Sequence, residues 1–199
     1  MSRISKIHRK DWPAELASAF GNQEASELQL GLLRMMAHKP AAAAGLLAFN
    51  RALGATRELT DRLTELVRLR IAFHNQCRSC MAIRYRGGDG ETIDEGLVCA
   101  LEYPQTAADL SEAERLALAY ADLFCTDHLA IGDDTYAGLR SHFSEAQIVE
   151  LGLLCALCVG VGRLGASWNM VEELPDDYHD HSSSIAPWRN RPVEQHGRR

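Results

Sequence analysis

The chain has no surplus of basic charge, no long apolar run and no recognisable linker. Its 21 Lys and Arg residues are outnumbered by 27 Asp and Glu, giving a formal net charge of −6. Nucleic acid is therefore not an expected partner, since phosphate binding needs clustered Lys and Arg. The basic clusters Arg3 to Lys10 and Arg189 to Arg199 read as solvated tails. The first ten residues hold no apolar signal region, and the longest apolar run, Leu151 to Val161, is too short to span a bilayer. No membrane association is expected, and the expected location is the cytoplasm. Without a linker, the 199 residues divide into one domain over 1–175 and a polar tail over 176–199 with little to bury, expected to be disordered.

What is present favours helices. Ala, Leu, Glu and Arg dominate, while Gly and Pro fall mostly between periodic segments, so the expected fold class is all-α. The pattern predicts helices over about 13–20, 24–38 and 40–53, the last ended by Gly54. Leu28, Leu32, Met35 and Met36 recur at helical spacing and read as core. Thr60 caps a fourth helix. A fifth runs from Arg78 to Tyr85 and stops at Gly87-Gly88-Asp89-Gly90, a loop that lacks the Lys-Ser/Thr ending of a phosphate-binding loop. A sixth begins at Thr92 or Asp94. Capping boxes at Ser111 and Ser144 launch two more, separated by a short helix from Asp133 or Asp134 to His142. The second box starts the most apolar helix, Ile148 to about Val161. Gly160, Gly162 and Gly165 are expected to loosen the chain before a last helix over about 164–173.

The stretch with chemistry in it is Glu65-Leu-Val-Arg-Leu-Arg-Ile-Ala-Phe-His-Asn-Gln-Cys77-Arg-Ser-Cys80-Met-Ala-Ile-Arg84. A helix carrying a carboxylate reaches an Asn-Gln break, and two cysteines three apart open the next helix. Thiols at that spacing can close on each other, and the free N–H groups at a helix start favour the thiolate. Cys77 and Cys80 thus read as a redox dithiol. Glu65 read on its own is a solvated carboxylate paired with Arg62 or Arg68. Arg84, one helical turn beyond Cys80, carries a fixed charge able to lower a thiol pKa, although on spacing alone it is an ordinary surface cation. His74 can touch Cys77 across the break or be a half-buried structural histidine. Six cysteines in a cytosolic chain do not suggest a structural disulfide framework.

A second pair, Cys155 and Cys158, raises a four-thiolate zinc site as an alternative. The two pairs are far apart for a zinc ribbon, and Cys155 and Cys158 sit in an apolar helix interior where cysteine acts as a small hydrophobe. Cys99 and Cys125 read as buried packing residues. No metal and no cofactor are expected.

Glu65, Leu69, Ala72, Asn75, Cys77-x-x-Cys80, Gly87-Gly88, the capped helix at Ser111 and Phe143-Ser144 before the apolar helix resemble the alkylhydroperoxidase AhpD-like branch of the carboxymuconolactone decarboxylase family. The likeness covers roughly residues 30–173. It implies an all-helical homotrimer or homohexamer acting on a small hydroperoxide or a disulfide, reduced by a partner dithiol protein. It also implies roles: Cys80 attacks, Cys77 resolves the product as a disulfide, and Glu65 assists proton transfer from a buried position. The chain departs from the pattern at position 84, where the family has a histidine and this chain has Arg84, and between the cysteines, where it has Ser79. The expected activity is thiol-dependent hydroperoxide reduction of the peroxiredoxin type, or thiol-disulfide reduction. The alternatives are a cofactor-free carboxymuconolactone-type decarboxylase and a non-catalytic redox sensor.

Overall fold

The computed structural model describes residues 1–87 and 93–197; the Gly88 to Gly90 part of the expected loop and the cap alternative at Thr92 lie outside them. Three helices come first, α1 (Ala14–Phe20), α2 (Glu27–Met36) and α3 (Pro40–Ala55). They close a small core of Trp12, Leu16, Phe20, Leu30, Ala37 and Ala43. Ser26 starts α2 with a full capping box to Gln29, three residues later than the pattern indicates. Gly54 lies inside α3 instead of beyond it, and of the expected stripe Leu28 and Met35 are fully buried.

The main core is built around α4 (Asp61–His74), with α6 (Glu95–Ala100), α7 (Glu112–Thr126), α8 (Asp133–Arg140) and α9 (Glu145–Ser167) packed about it. The Thr60 side chain accepts the Leu63 N–H at 3.1 Å, and both predicted capping boxes form, at Ser111 and Ser144. Among the described residues the architecture is all-α, as expected, apart from one two-stranded sheet.

α9 is one helix of 23 residues, so the glycines at 160, 162 and 165 do not break it. Its apolar stretch is long enough by length and composition to cross a bilayer, and in the fold its inner stripe is packed against α4, α5 (Arg78–Ala82) and α7. A β-carbon at Gly162 would stand 2.4 Å from the Asn75 amide nitrogen, and one at Gly165 would stand 3.3 Å from Cys77 Sγ. These two glycines bring α9 against the turn that carries the dithiol.

The fifth helix is shorter than predicted. After Ala82 the chain turns extended and forms β1 (Ile83–Arg86), which pairs in parallel with β2 (Glu194–Gly197). The tail over 176–197 is therefore ordered, contrary to expectation. Tyr178 and Ala186 are buried, and the Val193 N–H donates to Ala82 O at 2.7 Å. Trp188 lies against the Phe73 ring at a 4.5 Å centroid separation. A local pattern of polar residues concealed this, because the partner strand is far away in sequence.

Candidate active site

Asn75 ends α4, and Gln76 then adopts a left-handed backbone with φ 49°. That turn redirects the chain into α5, and the Cys77 N–H still reaches Ala72 O at 3.1 Å. The Gln76 side chain accepts the Ile185 N–H at 3.1 Å and donates to Ile185 O at 3.2 Å, which ties the C-terminal segment beside the dithiol.

Cys77 and Cys80 are joined as a disulfide, with Cα atoms 5.2 Å apart. Cys77 is fully enclosed, whereas Cys80 is half-buried. Ser79 Oγ lies 3.6 Å from the Cys77 sulfur.

Glu65 is fully buried, not solvated, and its partner is Arg68. The guanidinium grips both carboxylate oxygens, Nε to Oε2 at 2.7 Å and Nη2 to Oε1 at 2.6 Å. The Tyr85 N–H adds a third bond to Oε1 at 3.0 Å. Burial works against the charge on Arg68, yet the Glu65 carboxylate holds that guanidinium above its ordinary range. Arg62 pairs instead with Glu114 on α7, at 2.6 Å.

Arg84 is 3% exposed, not a surface cation, and sits on β1 instead of a helical turn past Cys80. It donates to Met81 O at 2.6 Å and Pro187 O at 2.9 Å and pairs with Glu95 at 3.1 Å. Its nitrogens are thereby engaged on the C-terminal segment and α6. His74 Nε2 lies 2.7 Å from Asp122 on α7, a carboxylate also held by Arg70. Burial would raise the Asp122 pKa, but His74 and Arg70 outweigh it and hold the group below its ordinary value. His74 thus takes the structural place open to it in the sequence.

Arg78, between the cysteines, is 5% exposed and donates to His181 Nδ1 at 3.3 Å and to Ser183 O at 3.0 Å. Burial lowers its pKa, with Asp180 opposing. The i, i+3 spacing offers Arg68 as one of two partners for Glu65, and the structure selects it; nothing local in the sequence signals the burial of Arg78.

The remaining thiols are not gathered with the dithiol into a metal centre; among the described residues no group of three or more His, Cys, Asp or Glu is placed to hold a metal ion. Cys155 is buried and Cys158 half-buried on α9. Cys99 is exposed and Cys125 half-buried, so neither is the enclosed packing residue expected. Burial pushes the Cys125 thiol up to about 11 and Cys155 well above its ordinary value. Both are poor nucleophiles at neutral pH.

A helix carrying a buried carboxylate–guanidinium pair, a left-handed turn and a Cys-x-x-Cys helix backed by an apolar helix make up an AhpD-like fold. The chain is similar, with a TM-score of 0.65 and 18% identity, to a crystal structure from Ralstonia eutropha JMP134 described as an alkylhydroperoxidase AhpD core, an uncharacterized peroxidase-related protein. The likeness covers 89% of this chain and 94% of that one. In sequence, 105 residues are 34% identical to two uncharacterized Mycobacterium tuberculosis proteins, from strains CDC 1551 / Oshkosh and ATCC 25618 / H37Rv. That match takes in 52% of this chain and only 36% of each relative, so it spans about a third of their length. No protein-family model matches the chain.

Proposed function

We propose that the protein is a dithiol oxidoreductase that reduces small hydroperoxides, or a partner's disulfide, through Cys80. The observation that carries this reading is the asymmetry of the pair: the two sulfurs are within bonding reach, and only Cys80 has solvent access. In the peroxide cycle the Cys80 thiolate attacks the O–O bond, giving a sulfenic acid and, with one proton, an alcohol. The Cys77 thiol then displaces water to form the disulfide. A partner dithiol returns the two electrons by exchange.

Loss of the reduced partner dithiol or of Cys80 should stop the cycle. In Cys80→Ser, peroxide consumption should fall to background, whereas Cys77→Ser should stop after one turnover with a sulfenic acid that a dimedone-type reagent traps. Peroxide turnover retained by Cys80→Ser would overturn the proposal. Transient disulfide closure by a catalytic redox pair fits a reducing compartment such as the cytoplasm.

The working unit is proposed to be a homotrimer or homohexamer. In support, α9 leaves Val149, Leu153 and Leu164 exposed along one side. Light scattering on the 22.0 kDa chain decides it, and a monomer at micromolar concentration would overturn this part.

A further inference from the structure

Resting on the dithiol reading above, we propose that Arg68, not Arg84, is the cation that positions Cys80 and favours its thiolate, with Glu65 as its counter-ion. α5 is only five residues long, so its last carbonyls have no continuing helix to accept from. Arg68 supplies the missing donors. Its Nη1 reaches Cys80 O at 2.7 Å and its Nη2 reaches Ile83 O at 2.7 Å. One guanidinium thus spans the end of the dithiol helix and the first residue of β1.

The fork is itself held from behind. Glu65 takes two of its N–H groups, and the Tyr85 ring lies under it, 5.1 Å from the guanidinium carbon. The Cys80 sulfur is tethered to the carbonyl that Arg68 grips, so at full covalent reach it lies within about 9 Å of Nη1. In a buried setting that is close enough for the charge to act on a thiolate. It is also a cation at the negative end of a helix.

This arrangement assigns Glu65 a role different from proton relay. Both of its oxygens are occupied, and its negative charge tempers the pull of Arg68 on Cys80. The two readings give different outcomes for one substitution. As a counter-ion, Glu65→Gln frees the charge of Arg68 and makes Cys80 more acidic. As a relay, the same change slows turnover and leaves the acidity of Cys80 alone.

The test is the rate of alkylation of Cys80 in the reduced full-length protein from pH 5 to 10, read by mass spectrometry. Glu65→Gln is expected to speed alkylation at pH 7 several-fold. Arg68→Met is expected to slow it about tenfold, the loss of thiolate that follows one unit of pKa. Arg68→Lys keeps the charge and loses the fork, so it should alkylate within about twofold of the native rate. Its closure of the Cys77–Cys80 disulfide should nevertheless slow about tenfold, because the Cys80 carbonyl is no longer held. Should Arg68→Met fail to fold by circular dichroism, Glu65→Gln and Arg68→Lys decide the matter. Unchanged or slower alkylation in Glu65→Gln overturns the proposal, as does native disulfide closure in Arg68→Lys. A native protein that reduces neither peroxide nor disulfide would remove the proposed function and leave this ranking of acidities standing on its own.

Discussion

Replacing Arg84 by His restores the residue that the AhpD-like pattern carries, and the sequence alone suggests that peroxidase activity should rise. The structure argues for the opposite outcome. Arg84 lies 3% exposed on β1 and bonds to Met81 O, Pro187 O and Glu95. An imidazole is too short to span those three acceptors. Two buried carbonyls would lose their donor, at about 1–3 kcal/mol each. The pair with Glu95, whose side chain is 45% exposed, adds at most about 1 kcal/mol. Water entering at the sheet edge offsets part of this, which leaves a net loss of about 3 kcal/mol. For a chain of this size that lowers Tm by about 6–12 °C. Pro187 would also lose a tether, so trypsin should cut at Arg189 faster than in the native protein. Thermal melts and timed proteolysis check both effects. If Arg84→His melts within about 2 °C of native, resists trypsin and turns over more peroxide, position 84 is a relay site and the argument fails.

Two further substitutions or conditions probe the packing behind the dithiol. In Gly162→Ala the new methyl would meet the Asn75 amide and displace it from Cys158 O, now 2.9 Å away. Overpacking and the lost buried bond outweigh the gain of about 1 kcal/mol in helix propensity, so urea unfolding should show a net loss of about 2 kcal/mol; a stabilised variant would refute the close approach. Acid should weaken the fold through Asp122 and Glu114. Burial opposes ionisation at each, yet His74 and Arg70 hold the first, and Arg62 and Ser111 the second, below the ordinary carboxyl range. A depressed folded pKa stabilises above the unfolded value near about 4 and is lost as pH falls through the folded one. Urea midpoints should therefore be flat from pH 7 to 5 and drop below about 4, and Asp122→Asn should flatten that drop. An unchanged drop in the variant would remove Asp122 from the account.

The parts legible in the sequence were those decided locally. Capping boxes at Ser111 and Ser144 mark their helices because the cap and its third residue are neighbours in the chain. The Glu65-to-Cys80 spacing likewise places the dithiol just past the carboxylate helix. The misreadings come from distant partners. Gly162 and Gly165 look like breaks until Asn75 and Cys77 are seen pressing on them. Ile83 to Arg86 follows a helix and has no strand beside it until Glu194. Arg84 looks exposed for the same reason, since the Pro187 carbonyl that buries it belongs to the segment that appeared to have nothing to cover.

The parallel pairing of Ile83 with Glu194 has a consequence in time. During synthesis the dithiol helix emerges more than a hundred residues before the strand that covers its flank. At about 5–20 residues per second that interval lasts about 5–20 s. Through it Cys77 and Cys80 are open to any oxidant or chaperone near the ribosome, and Gln76 has no Ile185 to hold. The newborn chain thus exposes a thiol, that of Cys77, which the finished one encloses.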